Sequence, residues 1–426
     1  MRNIVLITLD SLRADHCSFM GYHRETTPTL DRMARKSLYF ENAIAAGVGT
    51  PASMMGAFTG KFAPLTDKAN PKIWRSEFAR RKTLAQVLSK FGYSTGAIVP
   101  NTFASSYFGF DKGFQVFQDF LRDNSLYDKI FEGVFKKNSR IAFVTRNVIN
   151  FLLKREVFMP WEKYYNFILD WVENTKNPFF LWILLMDTHF PYLAPRKYRK
   201  WSNLIDMYYA NWKLQSVNFE NKLTDEESQK LIDAYDDSIR YADEFIKRII
   251  KDLSCYDPIF IIHADHGEGF GEHGYYMHGF VRNNSVCLYE ELIHIPLLIY
   301  NADIKGTINE PVSLLGLAPA ILEIINKNNE FLSKSFLNSR PKWVVVRAVD
   351  SSGIKVAIRM KNWKFIIGQN RLCELYNLKD DPDEKLNLVR KYSALANEMN
   401  KIAINYITHD ISIKTVRNKI LEKIKK

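Results

Sequence analysis

Cysteine is scarce in this chain. Its four cysteines, at positions 17, 255, 287 and 373 of 426, form no C-x-x-C pair, which excludes a disulfide framework and a cysteine-based metal cluster. Long apolar runs are missing too: none reaches the ~18–20 residues of a spanning helix. The first strand-like run begins at residue 3, leaving no space for a signal peptide, so cytoplasmic residence is expected. Acidic residues are the minority, 47 against 59 basic ones, for a formal net charge of +12. That balance suits a polyanionic substrate. No nucleic-acid-binding motif accompanies it, and no nucleic-acid partner is expected. Repeats and low-complexity tracts are absent. The length predicts one large α/β unit with a smaller appendage.

What is present concentrates in three segments. The run HADHGEGFGEHGYYMHG places Asp265, His266 and three further histidines straight after the apolar stretch Pro258–Ile262. This reads as a buried strand entering a glycine-rich loop, at the strand end where α/β sheets gather ligands. A second apolar, β-branched run, Ile4–Leu9, ends at Asp10 and reads as a central parallel strand. Asp10, Asp265 and His266 together form an O/O/N set suited to Zn²⁺ or Mn²⁺ and less well to Ca²⁺ or Mg²⁺. Alone, Asp10 could equally cap the segment after it. In the third segment, Gly47–Gly60, Thr50 precedes Pro51, the pattern of an N-cap with proline at the first helical position. A hydroxyl at a helix start is also where a bound anion or alkoxide is favoured, so Thr50 reads either as a cap or as a nucleophile.

Coarse organisation follows from periodicity. Residues 1 to about 110 alternate strand and helix: the Asp10 strand, helices at Thr27–Arg35, Thr50 and Thr83–Phe91, and a strand at Ser94–Val99. An aromatic and basic insertion at about 111–165, predicted helical, could cover the site. Alternation resumes over 166–325, with a long helix at about Glu226–Asp252. Trp343–Arg347, Lys355–Met360 and Trp363–Ile367 read as a small antiparallel sheet. In the tail, Ile413, Val416, Ile420 and Ile424 fall opposite Lys414, Arg417, Lys419 and Lys423. That is a basic amphipathic helix, able to touch an anionic membrane surface or simply to dock on the body.

These stretches, with GYHRETTPTLDRMA, TLAQVLSKFGYSTGAIVPN, FGFDKGF, PFFLWILLMDTHFPYLAP, LYEELIHIPLLIY and CELYNLKDDPDEKLNL, resemble in order and spacing the sulfatase family of the alkaline phosphatase superfamily. The resemblance implies a sandwich with a large, mostly parallel central sheet flanked by helices, plus a small C-terminal antiparallel sheet and helix. It implies a catalytic α/β domain over 1–335 and a C-terminal subdomain over 336–426. Asp10, Asp265 and His266 match the family's metal ligands, and Thr50 matches the nucleophile, which also contacts the metal. His189 matches a histidine near the anion and leaving group. His278 resembles the residue that holds the anion or protonates the leaving oxygen, although His273 lies close enough to replace it. Asp187 and His189 would share one face if their segment were extended.

The departures are as informative. Sulfatases with a formylglycine nucleophile carry Cys or Ser, any residue, Pro, Ser or Ala, then Arg. Here Thr50, Ala52, Ser53 and Met54 fill those places except the variable one. Threonine does not yield formylglycine, so none is expected, and the arginine is missing. Two adjacent aspartates usually follow the first strand; here Ser11 follows Asp10. Asp10, Thr50, Asp265 and His266 suffice for one divalent ion, Zn, Mn or Ca. A threonine ester cannot expel sulfate by collapsing to an aldehyde, whereas phosphate tolerates in-line displacement. The expected activity is therefore phosphoryl transfer from a phosphate diester, phosphonate ester or phospho-head group. The partner is an anionic ester carried by a glycan, a lipid head group or a small molecule. A sulfuric ester hydrolase and an inactive binding module are the alternatives.

Overall fold

The computed structural model describes residues 1–66, 70–120, 159–176, 178–217, 221–278, 286–350, 353–368 and 372–407. Most of the insertion expected at 111–165 and all of the basic tail helix lie outside them. Gly279 of the glycine-rich loop does too.

Strands with continuous apolar sequence occupy the centre. β1 (Ile4–Leu9) is followed in the chain by β2 (Leu38–Phe40), β3 (Ser94–Ile98), β4 (Val116–Gln118) and β5 (Phe179–Leu185). β6 (Ile259–Ala264), β7 (Leu297–Tyr300) and β8 (Gly306–Ile308) complete an eight-stranded sheet of order β8-β2-β7-β6-β1-β5-β3-β4. From β6 through β1, β5 and β3 to β4 the pairing is parallel, while β7 runs antiparallel between β6 and β2. Every residue of β1, β5 and β6 is buried, as expected of parallel strands covered on both faces.

Helices hold the loops at the strand ends. The helix Asp225–Asp252 starts with a capping box, in which Thr224 accepts from the Glu227 N–H and Glu227 reaches back to the Thr224 N–H. Its buried carboxylates anchor neighbouring backbone. Asp243 accepts from the Thr29 and Leu30 amides, and Asp237 from those of Lys200, Trp201 and Ser202. Asp236 binds His16, Tyr22 and Arg24. No described helix is long and apolar enough to cross a membrane.

The C-terminal sheet has four strands where three were expected: β9 (Trp343–Asp350), β10 (Gly353–Met360), β11 (Trp363–Gly368) and β12 (Cys373–Asn377), an antiparallel meander. Alternation sorts its side chains. Val344, Val346, Ala357 and Ile366 pack on Ile44, Leu292 and Ile293 of the body. Val345, Val356, Ile358, Phe365 and Leu375 pack on Ala396, Met399 and Ala403, in a helical segment over 393–407.

Candidate active site

Parallel register places the acidic residues side by side. Leu9 pairs with Ala264 of β6 and with Leu185 of β5, so Asp10, Asp265 and the turn after Leu185 leave the sheet at one edge. Asp10, Asp265 and His266 are fully buried, and one potential ligand atom from each lies within 4.8 Å of the others. His266 Nε2 is 3.7 Å from Asp10 Oδ1 and 3.5 Å from Asp265 Oδ2. His266 Nδ1 lies 2.8 Å from the Gly267 carbonyl. That nitrogen therefore carries the proton, and Nε2 offers its lone pair inward.

Thr50 completes the group, but not as a helix cap. The helix Thr50–Thr59 is preceded by Gly49 at φ 85°, and no side chain caps it. Thr50 is the first helical residue and Pro51 the second. The Thr50 hydroxyl points away from its own helix, 3.3 Å from Asp10 Oδ2 and 3.4 Å from His266 Nε2. Ser53 Oγ is occupied by the Ala46 amide at 3.2 Å, and Met54 is in the core, so no guanidinium reaches the site from that position.

His189 and His278 face each other across the same space, Nε2 to Nε2 at 3.2 Å. The His278 ring centroid is 4.3 Å from that of His266. His189 Nδ1 donates to the Phe190 carbonyl at 2.6 Å. Residues 186–189 are not extended: the His189 amide bonds the Met186 carbonyl at 3.0 Å, so a turn, not strand alternation, aims the imidazole. His273 is not part of the group. It stacks on Tyr289 at 3.7 Å, with Nδ1 2.8 Å from Glu291 Oε1.

Burial and charge set the electrostatics. Burial opposes ionisation of Asp10, but His189, His266 and His278 outweigh it and hold the carboxyl below its ordinary range. Burial, then the Asp10 charge, pushes Asp265 up to about 7. Burial lowers the basicity of His266, yet Asp265 and Asp10 raise it overall. His278 is driven far down by burial and then by His266 and His189. Two close buried carboxylates repel, and among the described residues no donor meets Asp265 Oδ2 in hydrogen-bond geometry. An orphaned buried acceptor beside a carboxylate and an inward imidazole lone pair fits a divalent cation.

Three further residues were not singled out from sequence. Ser11 Oγ donates to Asp10 Oδ1 at 2.9 Å. Asn101, three residues past the end of β3, donates to Asp10 Oδ2. Glu268 is fully buried, accepts from the Tyr192 hydroxyl at 2.9 Å and approaches His278 Nδ1 at 3.2 Å. Burial pushes it up to about 7 against the pull of His189 and His266. Each had a positional signal: directly after Asp10, in the loop that follows a strand, or two places after His266.

Comparisons with known proteins identify the family and the fold. The sulfatase family model matches residues 2–327. The chain is 22% identical to arylsulfatase K of Bos taurus over 95% of its own length and 82% of that protein's. It is 24% identical to the phosphatidylethanolamine transferase Mcr-1 of Escherichia coli, over 65% of this chain and 45% of that one. The solved phosphonate monoester hydrolase of Agrobacterium radiobacter shares the fold at a TM-score of 0.70 and 15% identity, covering 96% of both chains. The chain belongs to the sulfatase family, within the alkaline phosphatase superfamily.

Proposed function

We propose that this enzyme transfers a phosphoryl group from a phosphate diester, phosphonate ester or phospho-head group to Thr50 and then to water. The observation that carries the reading is the Thr50 hydroxyl, which faces Asp10 and His266 instead of capping its helix. Sulfatase-family enzymes bind a divalent metal, and Asp10, Asp265, His266 and Thr50 Oγ1 would hold one here. Such an ion, when bound, makes a hydroxyl more acidic and neutralises charge on the transferred group.

The chain's own groups account for the rest. Thr50 Oγ1 forms the new bond to phosphorus as the ester oxygen leaves, and its proton passes to Asp10 Oδ2, 3.3 Å away. The leaving oxygen takes a proton from the His189–His278 pair, whose Nε2 atoms lie 3.2 Å apart. The histidine pair then takes a proton from the water that attacks phosphothreonine; the phosphorus–Oγ1 bond breaks, and Asp10 Oδ2 returns its proton to Thr50 Oγ1, which restores the hydroxyl. Similarity to a transferase named for phosphatidylethanolamine and to a phosphonate monoester hydrolase supports phosphorus as the central atom. A sulfuric ester hydrolase acting on a glycan or small molecule is the second reading, favoured by similarity to arylsulfatase K along most of the chain.

Metal-reconstituted enzyme on matched p-nitrophenyl sulfate, phosphate, phosphate diester and phenylphosphonate separates these readings. A phosphorus ester should be turned over fastest, and Thr50→Ala should lose about a thousandfold or more in kcat. Faster sulfate turnover, or a Thr50→Ala variant that retains activity, would refute the threonine mechanism. A chain that binds metal but turns over none of the esters would be a binding module.

A further inference from the structure

Ser11 occupies a conformation that few residues of its kind adopt. It is fully buried at φ 62°, the left-handed region where a side chain is strained and glycine is at ease. Bonds from three directions hold it there. The Asp10 amide donates to the Leu185 carbonyl at 3.0 Å. The Asp10 carbonyl accepts from the Thr188 hydroxyl at 2.6 Å and the Ser11 carbonyl from the Tyr235 hydroxyl at 2.7 Å. Tyr235 is itself fixed, accepting from the Arg13 amide at 2.9 Å. A residue needed only for the turn would be better as glycine.

The serine makes two contacts from this position. Its hydroxyl donates to Asp10 Oδ1 at 2.9 Å, and its amide donates to Asp265 Oδ1 at 3.1 Å. Asp265 Oδ1 also accepts from the His266 amide at 2.9 Å, so Oδ2 is the oxygen left for a cation. We propose that Ser11 is a positioning residue of the metal site, orienting both carboxylates from one left-handed turn. The inference rests on the reading that Asp10, Asp265 and His266 hold a divalent ion. A buried serine that merely satisfies its hydroxyl on the nearest acceptor is the competing explanation.

The two separate in the full chain, stripped with a chelator and titrated calorimetrically with zinc, alongside thermal unfolding of the metal-free forms. Ser11→Gly keeps the left-handed backbone and the amide contact but removes the hydroxyl; Ser11→Ala removes the hydroxyl and keeps the strain. Both should bind zinc about 10–100-fold more weakly, the usual effect of losing a group that orients a ligand. The unfolding midpoint of metal-free Ser11→Gly should not fall. Zinc affinity in Ser11→Gly equal to that of the wild type would overturn the proposal while leaving the metal reading intact. Weakened binding matched by lost metal-free stability would assign Ser11 to the fold and overturn it too. A wild type that takes up no zinc would remove both the proposal and the metal reading.

Discussion

His263 shows how neighbouring residues of one type divide between fold and chemistry. Its ring is fully buried in β6, with Nε2 3.1 Å from Thr8 Oγ1, which also accepts from Trp182 Nε1 at 3.1 Å, and Nδ1 2.8 Å from the Ala264 carbonyl. The neutral ring satisfies all of these contacts, and burial pushes its pKa down to about 4. In the unfolded chain it titrates near 6.5. Above that pH both states are neutral and the contribution is fully present. As pH falls through 6.5 toward 4 the unfolded chain binds a proton that the folded one refuses, so stability is lost. The gap corresponds to about 3 kcal/mol. Metal-free wild type should therefore lose about 3 kcal/mol more between pH 7 and pH 4 than His263→Gln, read by urea unfolding; equal losses would refute the assignment. Asp10 was legible because it follows an apolar run directly, and Asp265 and His266 because they come just after another that ends at Ile262. Thr50 was ambiguous, since threonine before proline serves a cap or a nucleophile equally well in one dimension. Only the rotamer, turned toward Asp10, separates the two.

At the scale of elements, the glycine-rich loop depends on a close backbone approach at Gly267. A Cβ on Gly267 would lie 2.0 Å from the Glu291 carbonyl oxygen. That carbonyl and the next accept the Glu268 and Gly267 amides at 2.9 Å each. Gly267→Ala must part these segments and swing His266 and Glu268 away from Asp10. Zinc affinity should fall about tenfold or more, as for other losses of ligand orientation; unchanged affinity would show that the loop tolerates the shift. The central strands were readable as unbroken apolar runs, and the sheet at the C-terminus as alternation. β12 escaped notice because CELYN is short and mixes polar with apolar residues without a clean alternation. The turn at 186–189 escaped because a strand's end cannot be fixed from apolar character alone.

For the whole molecule, the join between the C-terminal sheet and the body is ionic at its centre. Lys364 of β11 is fully buried, 3.1 Å from Glu290 Oε1 and 2.8 Å from Glu384 Oε1, and Arg359 of β10 also reaches Glu290, at 3.1 Å. The Glu384 carbonyl in turn lies 3.3 Å from His273 Nε2, so this network backs the loop that carries His266. Lys364→Ala leaves buried carboxylates short of a cation and should cost about 3–5 kcal/mol in denaturant unfolding; a loss below about 1 kcal/mol would mean that the pair behaves as a solvated one. Such long-range pairing left no trace in the sequence, where Lys364 reads as one more cation in a basic chain. The position of β1 has a consequence for how the protein is made. β1 is synthesised well before both of its partners in the sheet, and Ser11 and Asp265 are 254 residues apart. At about 5–20 residues per second on a ribosome, the nascent chain carries an unpaired, strongly apolar hexapeptide for tens of seconds. Through that interval Asp10 lacks Asp265 and His266, so capture of the proposed ion would be a late, post-assembly event.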